Sequence, residues 1–209
     1  MAELIICEKP KSALRIANAL ADNKVVKETY SKVVPYYRLK HKGKEIVVGA
    51  AVGHLFGLAE SAKNGWNYPV FDIIWKPIFE IQKEARFSKK YYDCLNKLCK
   101  GVKDVTVACD YDIEGEVIGF NIVRFVCNKK DACRMKFSTL TKPDLIEAYE
   151  HKAKHLDWGQ ANAGETRHFL DFYYGVNLSR ALTTAIKTAG SFKIMSTGRV
   201  QGPALKLIV

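Results

Sequence analysis

Residues 105–116 read Val-Thr-Val-Ala-Cys-Asp-Tyr-Asp-Ile-Glu-Gly-Glu, and the predicted fold depends mainly on this segment. Its first part, Val105 to Cys109, is a continuous apolar run, which is typical of a central strand in a parallel sheet buried on both faces. Four carboxylates follow between Asp110 and Glu116. In open α/β sheets, ligands bind beyond the carboxyl ends of the strands. The segment therefore predicts a buried strand that ends in a candidate ligand site.

Strand and helix patterns alternate up to about residue 139. Residues 4–7 form a short apolar run that predicts a buried strand, and apolar residues then recur at helical spacing from Ala13 to Leu20. Residues 33–48 predict one or two strands, with a hairpin turn at residues 42–44. This alternation predicts an open, mainly parallel α/β sheet flanked by helices.

The rest of the chain reads as helical. A proline at position 143 predicts the start of a helix that reaches about Ala153, and two further helices are predicted at 166–174 and 178–186. We therefore expect two domains, an α/β domain at 1–139 and a helical segment at 140–209. The sequence ends within an apolar pattern, so it is expected to be a fragment of a longer chain.

One stretch inside the α/β part departs from the alternation. Residues 60–87 are rich in aromatic residues, prolines and basic residues. They are expected to form an insertion or a long surface excursion without regular structure.

Composition narrows the function classes. The chain has 33 basic and 22 acidic residues, a formal net charge of +11 and a pI near 9.3. Such a balance favours a polyanionic partner, although charge alone is weak support. The six cysteines lack C-x-x-C spacing, so a zinc ribbon or a thioredoxin-like motif is not supported, and reduced thiols are expected. No signal peptide or membrane span is predicted, so the expected location is the cytoplasm, with nucleoid association in a prokaryote.

The acidic cluster has two interpretations. Asp110 and Asp112 are two residues apart, so an extended backbone directs both carboxylates the same way. Together with Glu114 and Glu116 they would repel one another without a cation, and Mg²⁺ prefers such oxygen ligands. The alternative, strongest for Glu114 and Glu116, is that the acids only stabilise the start of a helix. The 12-residue spacing of an EF-hand is not matched.

Two motifs carry a resemblance to known families. Glu8-Lys9-Pro10 after the first strand, with the acidic cluster after the later one, resembles the Toprim signature shared by type IA topoisomerases, primases, some nucleases and repair proteins. Residues 196–205, Ser-Thr-Gly-Arg-Val-Gln-Gly-Pro-Ala-Leu, resemble the Arg-Val-Gln box of type IA topoisomerases. The two motifs in this order are similar to the topoisomerase III and archaeal branch of that family, and the choice between topoisomerases I and III stays open.

The resemblance implies an activity and roles for particular residues. It implies Mg²⁺-dependent cleavage and rejoining of single-stranded DNA through a 5′-phosphotyrosine intermediate. Glu8 would be the acid/base group and also a metal ligand, and Lys9, or else Lys11, would stabilise the scissile phosphate. The remaining implied residues are the metal ligands Asp110, Asp112 and Glu114, the pocket residue His54, and the DNA-binding residues Arg167, Asp171, Arg199 and Gln201.

The resemblance also implies a group that these residues do not supply. The family's nucleophilic tyrosine lies beyond the Arg-Val-Gln box, and Tyr111 does not match its context, so Tyr111 is expected to be a spacer. The tyrosine is expected on the remainder of the same polypeptide, and this chain alone is expected to be inactive. Two alternatives remain: a metal-dependent Toprim nuclease or primase, which needs no tyrosine, and a non-catalytic Toprim DNA-binding module.

Overall fold

The computed structural model describes residues 2–62 and 65–209. It divides into two compact units. The sheet unit comprises the residues up to Gly57 together with Pro77–Gly164, and the helical unit comprises Leu58–Lys76 and Glu165–Val209. The expected domain boundary at residue 139 stays a prediction.

Eight strands and seven α-helices are found in the described residues. The strands are β1 (Glu3–Cys7), β2 (Val26–Tyr30), β3 (Val34–His41), β4 (Lys44–Ala50), β5 (Phe56–Glu60), β6 (Ile73–Pro77), β7 (Asp104–Ala108) and β8 (Cys133–Arg134). The helices are α1 (Pro10–Leu20), α2 (Ile78–Ile81), α3 (Ser88–Cys99), α4 (Ile113–Phe125), α5 (Lys142–Glu150), α6 (Trp158–Thr188) and α7 (Gln201–Ile208), and a 3₁₀ helix covers Lys83–Phe87.

The sheet unit is built on a six-stranded sheet with the strand order β2-β3-β4-β1-β7-β8. β1 pairs in parallel with β4 and with β7, and β7 pairs in parallel with β8. The pairs β2–β3 and β3–β4 are antiparallel. The predicted class, a mainly parallel α/β sheet flanked by helices and followed by a helical segment, is confirmed.

Residue patterns explain the central strands. All five residues of β1 are buried, as expected for a strand covered on both faces. α1 buries one side, including Ala13, Ile16 and Ala17, and these side chains join the apolar cluster over the sheet. The hairpin at residues 42–44 is confirmed, with Lys42 and Gly43 both at positive φ, as a tight two-residue turn requires.

A buried carboxylate ties the amino end of β1 to its neighbours. Glu3 is 1% exposed. It accepts hydrogen bonds from Thr106 on β7 and Tyr149 on α5, and it pairs with Lys44 and Lys152. Burial opposes ionisation of this group, but the hydrogen bonds from the two lysines, Thr106 and Tyr149 outweigh it and lower the pKa of Glu3 to about 2.

Residues 60–87 were expected to lack regular structure, and this expectation is wrong. Part of this stretch forms β6, α2 and the 3₁₀ helix. β6 pairs with β5 in a separate two-stranded sheet. The apolar residues of this stretch form runs too short and too mixed to show the two-residue period of a strand or the 3.6-residue period of a helix.

The two helices expected at 166–174 and 178–186 are one continuous helix, α6. A glycine inside a helix costs only about 1 kcal/mol, so Gly175 does not interrupt it. Asn177 is accommodated because its side-chain amide bonds to the backbone of Val70, accepting from the N–H at 2.6 Å and donating to the carbonyl at 3.0 Å. Competition with the local helix backbone is thereby avoided.

The cysteines also differ from expectation. Cys99, at the end of α3, and Cys127, just beyond α4, form a disulfide, so the expectation of reduced thiols is wrong for this pair. Their separation of 28 residues gives no sequence signal. Cys7 and Cys109 are free and fully buried, as small apolar side chains are. Among the described residues, no helix combines the length and apolar character needed to cross a membrane.

Candidate metal and phosphate site

Three parallel strands end at the same edge of the sheet. In the register of the sheet, Cys7 at the end of β1 lies opposite Ala50 on β4 and Ala108 on β7. The chain leaves β1 toward the β4 side of the sheet and leaves β7 toward β8. β1 and β7 therefore flank a topological switch point, where open α/β sheets bind ligands.

Glu8 and Asp110 lie on the two sides of this switch point, and Lys9 joins them. The Lys9 ammonium is 2.9 Å from Glu8 Oε1 and 2.8 Å from Asp110 Oδ2. The hydrogen bond to Asp110, followed by the one to Glu8, raises the pKa of Lys9. The lysine is about half exposed and Glu8 is largely covered. These two ion pairs are made by Lys9, which favours Lys9 over Lys11 for the phosphate role.

Asp112 sets the start of the helix that follows the acidic loop. Its side chain accepts a hydrogen bond from the backbone N–H of Gly115 at 2.7 Å and caps α4. Gly115 is required by close approach, because a Cβ there would lie 2.2 Å from the carbonyl oxygen of Asp110. The loop from Asp110 to Gly115 is thus folded tightly on itself. Asp112 supplies the side-chain cap of α4, and Glu114 and Glu116 lie in the first turn of that helix, where negative charge is favourable.

His54 lies beside Glu114. The chain turns sharply after β4 at Gly53, which has a φ of 78°. His54 Nε2 then approaches Glu114 Oε2 to 3.1 Å, with both side chains about one-third exposed. The contact places His54 at the acidic loop and fixes the direction of the Glu114 carboxylate.

Glu116 is not part of the exposed cluster. Both Glu116 and Arg134 have fully buried side chains, and Arg134 Nε donates to Glu116 Oε2 at 2.7 Å. The other nitrogens of Arg134 donate to the carbonyl oxygens of Cys109, Asp110 and Met135 at 2.8 to 2.9 Å. Arg134 therefore holds the backbone from which the Asp110 carboxylate projects.

Sequence reasoning missed Arg134 altogether. The available signal was a lone arginine in a short apolar context, Ala132-Cys-Arg134-Met135, which requires a buried partner of opposite charge. That partner is Glu116, 18 residues earlier, which the sequence grouped with the other acids of the loop.

The acids at this edge of the sheet offer carboxylate oxygens, the kind of donor that a hard divalent cation binds. Glu8 and Asp110 already share one positive charge, that of Lys9, at contact distance. Asp112 uses one carboxylate oxygen for the helix cap, so its second oxygen can act as a ligand. Carboxylate oxygens, water and phosphate oxygens are the ligands that Mg²⁺ prefers. The oxygen donors of these residues match that preference, and their role as metal ligands stays a prediction.

The predicted DNA-binding residues belong to the helical unit. Arg199 Nε and Nη2 donate to the two carboxylate oxygens of Asp171 at 2.5 and 3.3 Å, and Arg167 Nε is 3.7 Å from the same carboxylate. The hydrogen bond from Arg199 lowers the pKa of Asp171. Gln201 is exposed at the start of α7. The structure thus brings together Arg167, Asp171 and Arg199.

Side chains of α6 hold the segment that carries Arg199. Ser179 and Thr183 exchange hydrogen bonds with the backbone of Thr197 and Met195, with the hydroxyl donating to a carbonyl and accepting from an N–H in each case. The start of the Arg-Val-Gln box and the residue before it are therefore held against α6. Arg180, whose role sequence left open, pairs with Glu60 and donates to the Asn67 carbonyl at 2.6 Å.

The fold and the placement of the acids at its switch point define the family, and family models agree. The chain belongs to the Toprim domain family, whose model matches residues 3–140. Residues 155–209 match a second model, described as DNA topoisomerase. The resemblance drawn from the two motifs is confirmed.

Three curated relatives of this chain are each named DNA topoisomerase 1. The chain is 48% identical to DNA topoisomerase 1 of Pyrococcus horikoshii, 50% to that of Pyrococcus furiosus and 47% to that of Methanocaldococcus jannaschii. Each match covers at least 99% of this chain but only 30%, 20% and 27%, respectively, of the relative. The chain therefore spans less than one-third of the length of these proteins.

A solved structure supports the fold. The full-length topoisomerase I from Thermotoga maritima superposes with a TM-score of 0.56 at 24% identity, covering 86% of this chain and 26% of that one. At this level of identity the likeness concerns the fold alone.

Proposed function

We propose that this chain forms the metal- and phosphate-binding part of a type IA DNA topoisomerase, acting on single-stranded DNA together with a nucleophilic tyrosine carried elsewhere on the same polypeptide. One observation carries the proposal: at the switch point of the sheet, the Lys9 ammonium lies 2.9 Å from Glu8 Oε1 and 2.8 Å from Asp110 Oδ2. The match of residues 155–209 to the DNA topoisomerase model supports a topoisomerase over the other Toprim proteins.

The reaction assigns a proton to Glu8. When the tyrosine oxygen attacks the phosphorus, a new O–P bond forms and the bond to the 3′-oxygen breaks. The leaving 3′-oxygen then needs a proton, which Glu8 can donate and later remove for rejoining. Glu8 is only 14% exposed, so it can be held beside the reacting atoms with little competing water.

Lys9 and the aspartates act on the phosphate charge. The Lys9 ammonium is oriented by two carboxylates and can turn toward a scissile phosphate, where it stabilises negative charge in the transition state. Asp110 and Asp112, with Glu114 held by His54, would bind Mg²⁺. When bound, Mg²⁺ supplies positive charge next to the phosphate oxygens.

The helical unit would guide the strand. Asp171 fixes the guanidinium of Arg199 through two of its nitrogens, and an arginine has five N–H donors. We propose that the remaining donors, with Arg167 and Gln201, contact the sugar-phosphate backbone and position the strand without reading its sequence. A strand-passing enzyme of this kind acts where DNA is found, inside the cell.

Salt-dependent binding of single-stranded DNA tests the proposal. We expect affinity for a single-stranded oligonucleotide to fall linearly with the logarithm of salt concentration, with a slope of about −0.7 per phosphate contact. Lys9→Met should reduce the magnitude of the slope by about one contact, whereas the matched control Lys11→Met should leave it nearly unchanged. Affinity that does not change between low and high salt would refute the proposal.

The nuclease alternative predicts a different product. A metal-dependent Toprim nuclease would nick DNA with this chain alone and leave no protein on the strand. Incubation with labelled single-stranded DNA and Mg²⁺, followed by denaturing electrophoresis, separates the two cases. We expect intact oligonucleotide, and nicked product without a covalent adduct would support the nuclease.

A further inference from the structure

Tyr111 is an exposed aromatic residue at the acidic loop that the proposed chemistry does not use. It lies between Asp110 and Asp112, and 49% of its surface is exposed. A large aromatic side chain gains little stability from such a position, since burial is what makes aromatic residues stabilising. Packing therefore does not explain a tyrosine between two carboxylates.

The ring is paired with an ordered cation. The ammonium of Lys136 lies 4.8 Å from the centroid of the Tyr111 ring. The same ammonium is 2.8 Å from Asp157 Oδ2, and the contact with Asp157 raises the pKa of Lys136. Lys136 is about one-third exposed, so its charge remains accessible from outside. Tyrosine and lysine together present an aromatic surface next to a positive charge.

This pair is connected to the buried pair of the acidic loop. The backbone N–H of Asp157 donates to Glu116 Oε1 at 2.9 Å, and Glu116 is the partner of Arg134. The Asp157 side chain also accepts from the N–H of Gln160 in the first turn of α6 at 3.2 Å. Asp157 is thus fixed at its backbone and its side chain, and Lys136 is held in a defined place.

We propose that Tyr111 and Lys136 form a nucleotide subsite beside the metal site, in which a base of single-stranded DNA stacks on the Tyr111 ring and a neighbouring phosphate contacts Lys136. Aromatic side chains stack on any base, because every base has a π-face, and an adjacent cation follows the sugar-phosphate backbone. The inference rests on the proposed function, since it needs single-stranded DNA at this edge of the sheet.

The subsite would place one nucleotide relative to the scissile phosphate. Because Tyr111 lies between Asp110 and Asp112 in the chain, a base stacked on its ring is held within one nucleotide's reach of the acidic loop. Tyr111 is therefore a positioning residue rather than a spacer.

Oligonucleotides with and without bases test the stacking directly. The chain is titrated with a fluorescently labelled oligonucleotide and with one of equal length built from abasic tetrahydrofuran nucleotides, at fixed salt. We expect Tyr111→Ala to weaken binding of the normal oligonucleotide by about 5- to 150-fold, as loss of one base–aromatic stack does, and to change abasic binding less than twofold. Tyr111→Phe, which keeps the ring, should bind like the unaltered chain.

Lys136 has a separate readout. Lys136→Met should reduce the magnitude of the salt slope by about 0.7 for both oligonucleotides, since it removes one phosphate contact. Urea unfolding of each variant shows whether the fold is intact, and only variants with an unchanged midpoint are compared. Should Lys136→Met unfold the chain through Asp157, the two Tyr111 variants still decide the matter.

The outcomes separate this inference from the function on which it rests. If the unaltered chain binds neither the normal nor the abasic oligonucleotide, both the proposed function and the subsite are refuted. Normal binding by Tyr111→Ala, an equal loss on the abasic oligonucleotide, or a loss in Tyr111→Phe as large as in Tyr111→Ala overturns the subsite alone.

Discussion

Removal of Arg134 should be the most destabilising single change near the acidic loop. In Arg134→Met the Glu116 carboxylate stays fully buried and loses its ion pair, while the hydrogen bond from the Asp157 N–H remains. The carbonyl oxygens of Cys109 and Asp110 lose their arginine donors as well. Breaking one side of a buried ion pair costs about 3–5 kcal/mol, a large part of the roughly 5–15 kcal/mol that stabilises a domain.

An exposed pair of the same residue types gives the control. Arg38 Nε lies 2.9 Å from Glu28 Oε1, but their side chains are 50% and 37% exposed. Such a pair contributes about 0–1 kcal/mol because water and salt screen it. Arg38→Met should therefore have a small effect on the same unfolding transition.

Urea unfolding followed by circular dichroism measures the loss of stability in both Arg134→Met and Arg38→Met. With an m-value of about 2 kcal/mol/M, Arg134→Met should lower the midpoint by about 1.5–2.5 M and Arg38→Met by less than about 0.5 M. Arg134→Met combined with Glu116→Leu should recover part of the loss, because no charge is then left unpaired. Similar shifts for Arg134→Met and Arg38→Met would refute the reasoning.

Three further predictions concern the fold around the site. The pKa of Glu3 is lowered from its ordinary value of 4.5 to about 2 in the folded chain. Its stabilisation of about 3 kcal/mol is therefore complete above about pH 4.5 and lost as the pH falls toward 2. Urea midpoints measured from pH 6 to 2 should show this dependence in the unaltered chain and lack it in Glu3→Gln. Gly115→Ala should cost about 1–3 kcal/mol by crowding the Asp110 carbonyl, whereas Gly101→Ala, whose Cβ would meet its nearest atom at 3.8 Å, should leave the thermal midpoint almost unchanged. Asn177→Ala should remove hydrogen-exchange protection from the Val70 amide, which donates to the asparagine side chain, and persistence of that protection would contradict the contact.

Much of the sheet could be predicted because its signal is local. The apolar runs that became β1 and β7 are continuous, as buried parallel strands require, and each is followed by an acidic residue. Parallel strands end at the same edge, so the proximity of Glu8 and Asp110 follows from the strand assignment alone. The site is therefore predictable to the extent that its strands are.

Long-range partners could not be predicted. Glu116 belongs to the same acidic run as Asp110, and sequence does not show that its carboxylate points inward to Arg134 on a two-residue strand. The disulfide could not be predicted for the same reason, since Cys99 and Cys127 come together only when α3 and α4 are packed in the fold. Tertiary contacts also keep α6 continuous. The backbone of Val70 hydrogen-bonds the Asn177 side chain, which would otherwise favour a break in the helix.

Magnesium binding to the acidic loop tests the central claim most directly. The chain is titrated with Mg²⁺ by isothermal calorimetry, alongside Asp110→Asn and the control Asp104→Asn, which alters an exposed acid at the opposite end of the same strand. We predict saturable binding that Asp110→Asn weakens at least about tenfold, as loss of a charged oxygen ligand should, and that Asp104→Asn preserves. Equal Mg²⁺ affinity in Asp110→Asn and the unaltered chain would contradict the assignment of this edge of the sheet as the metal site.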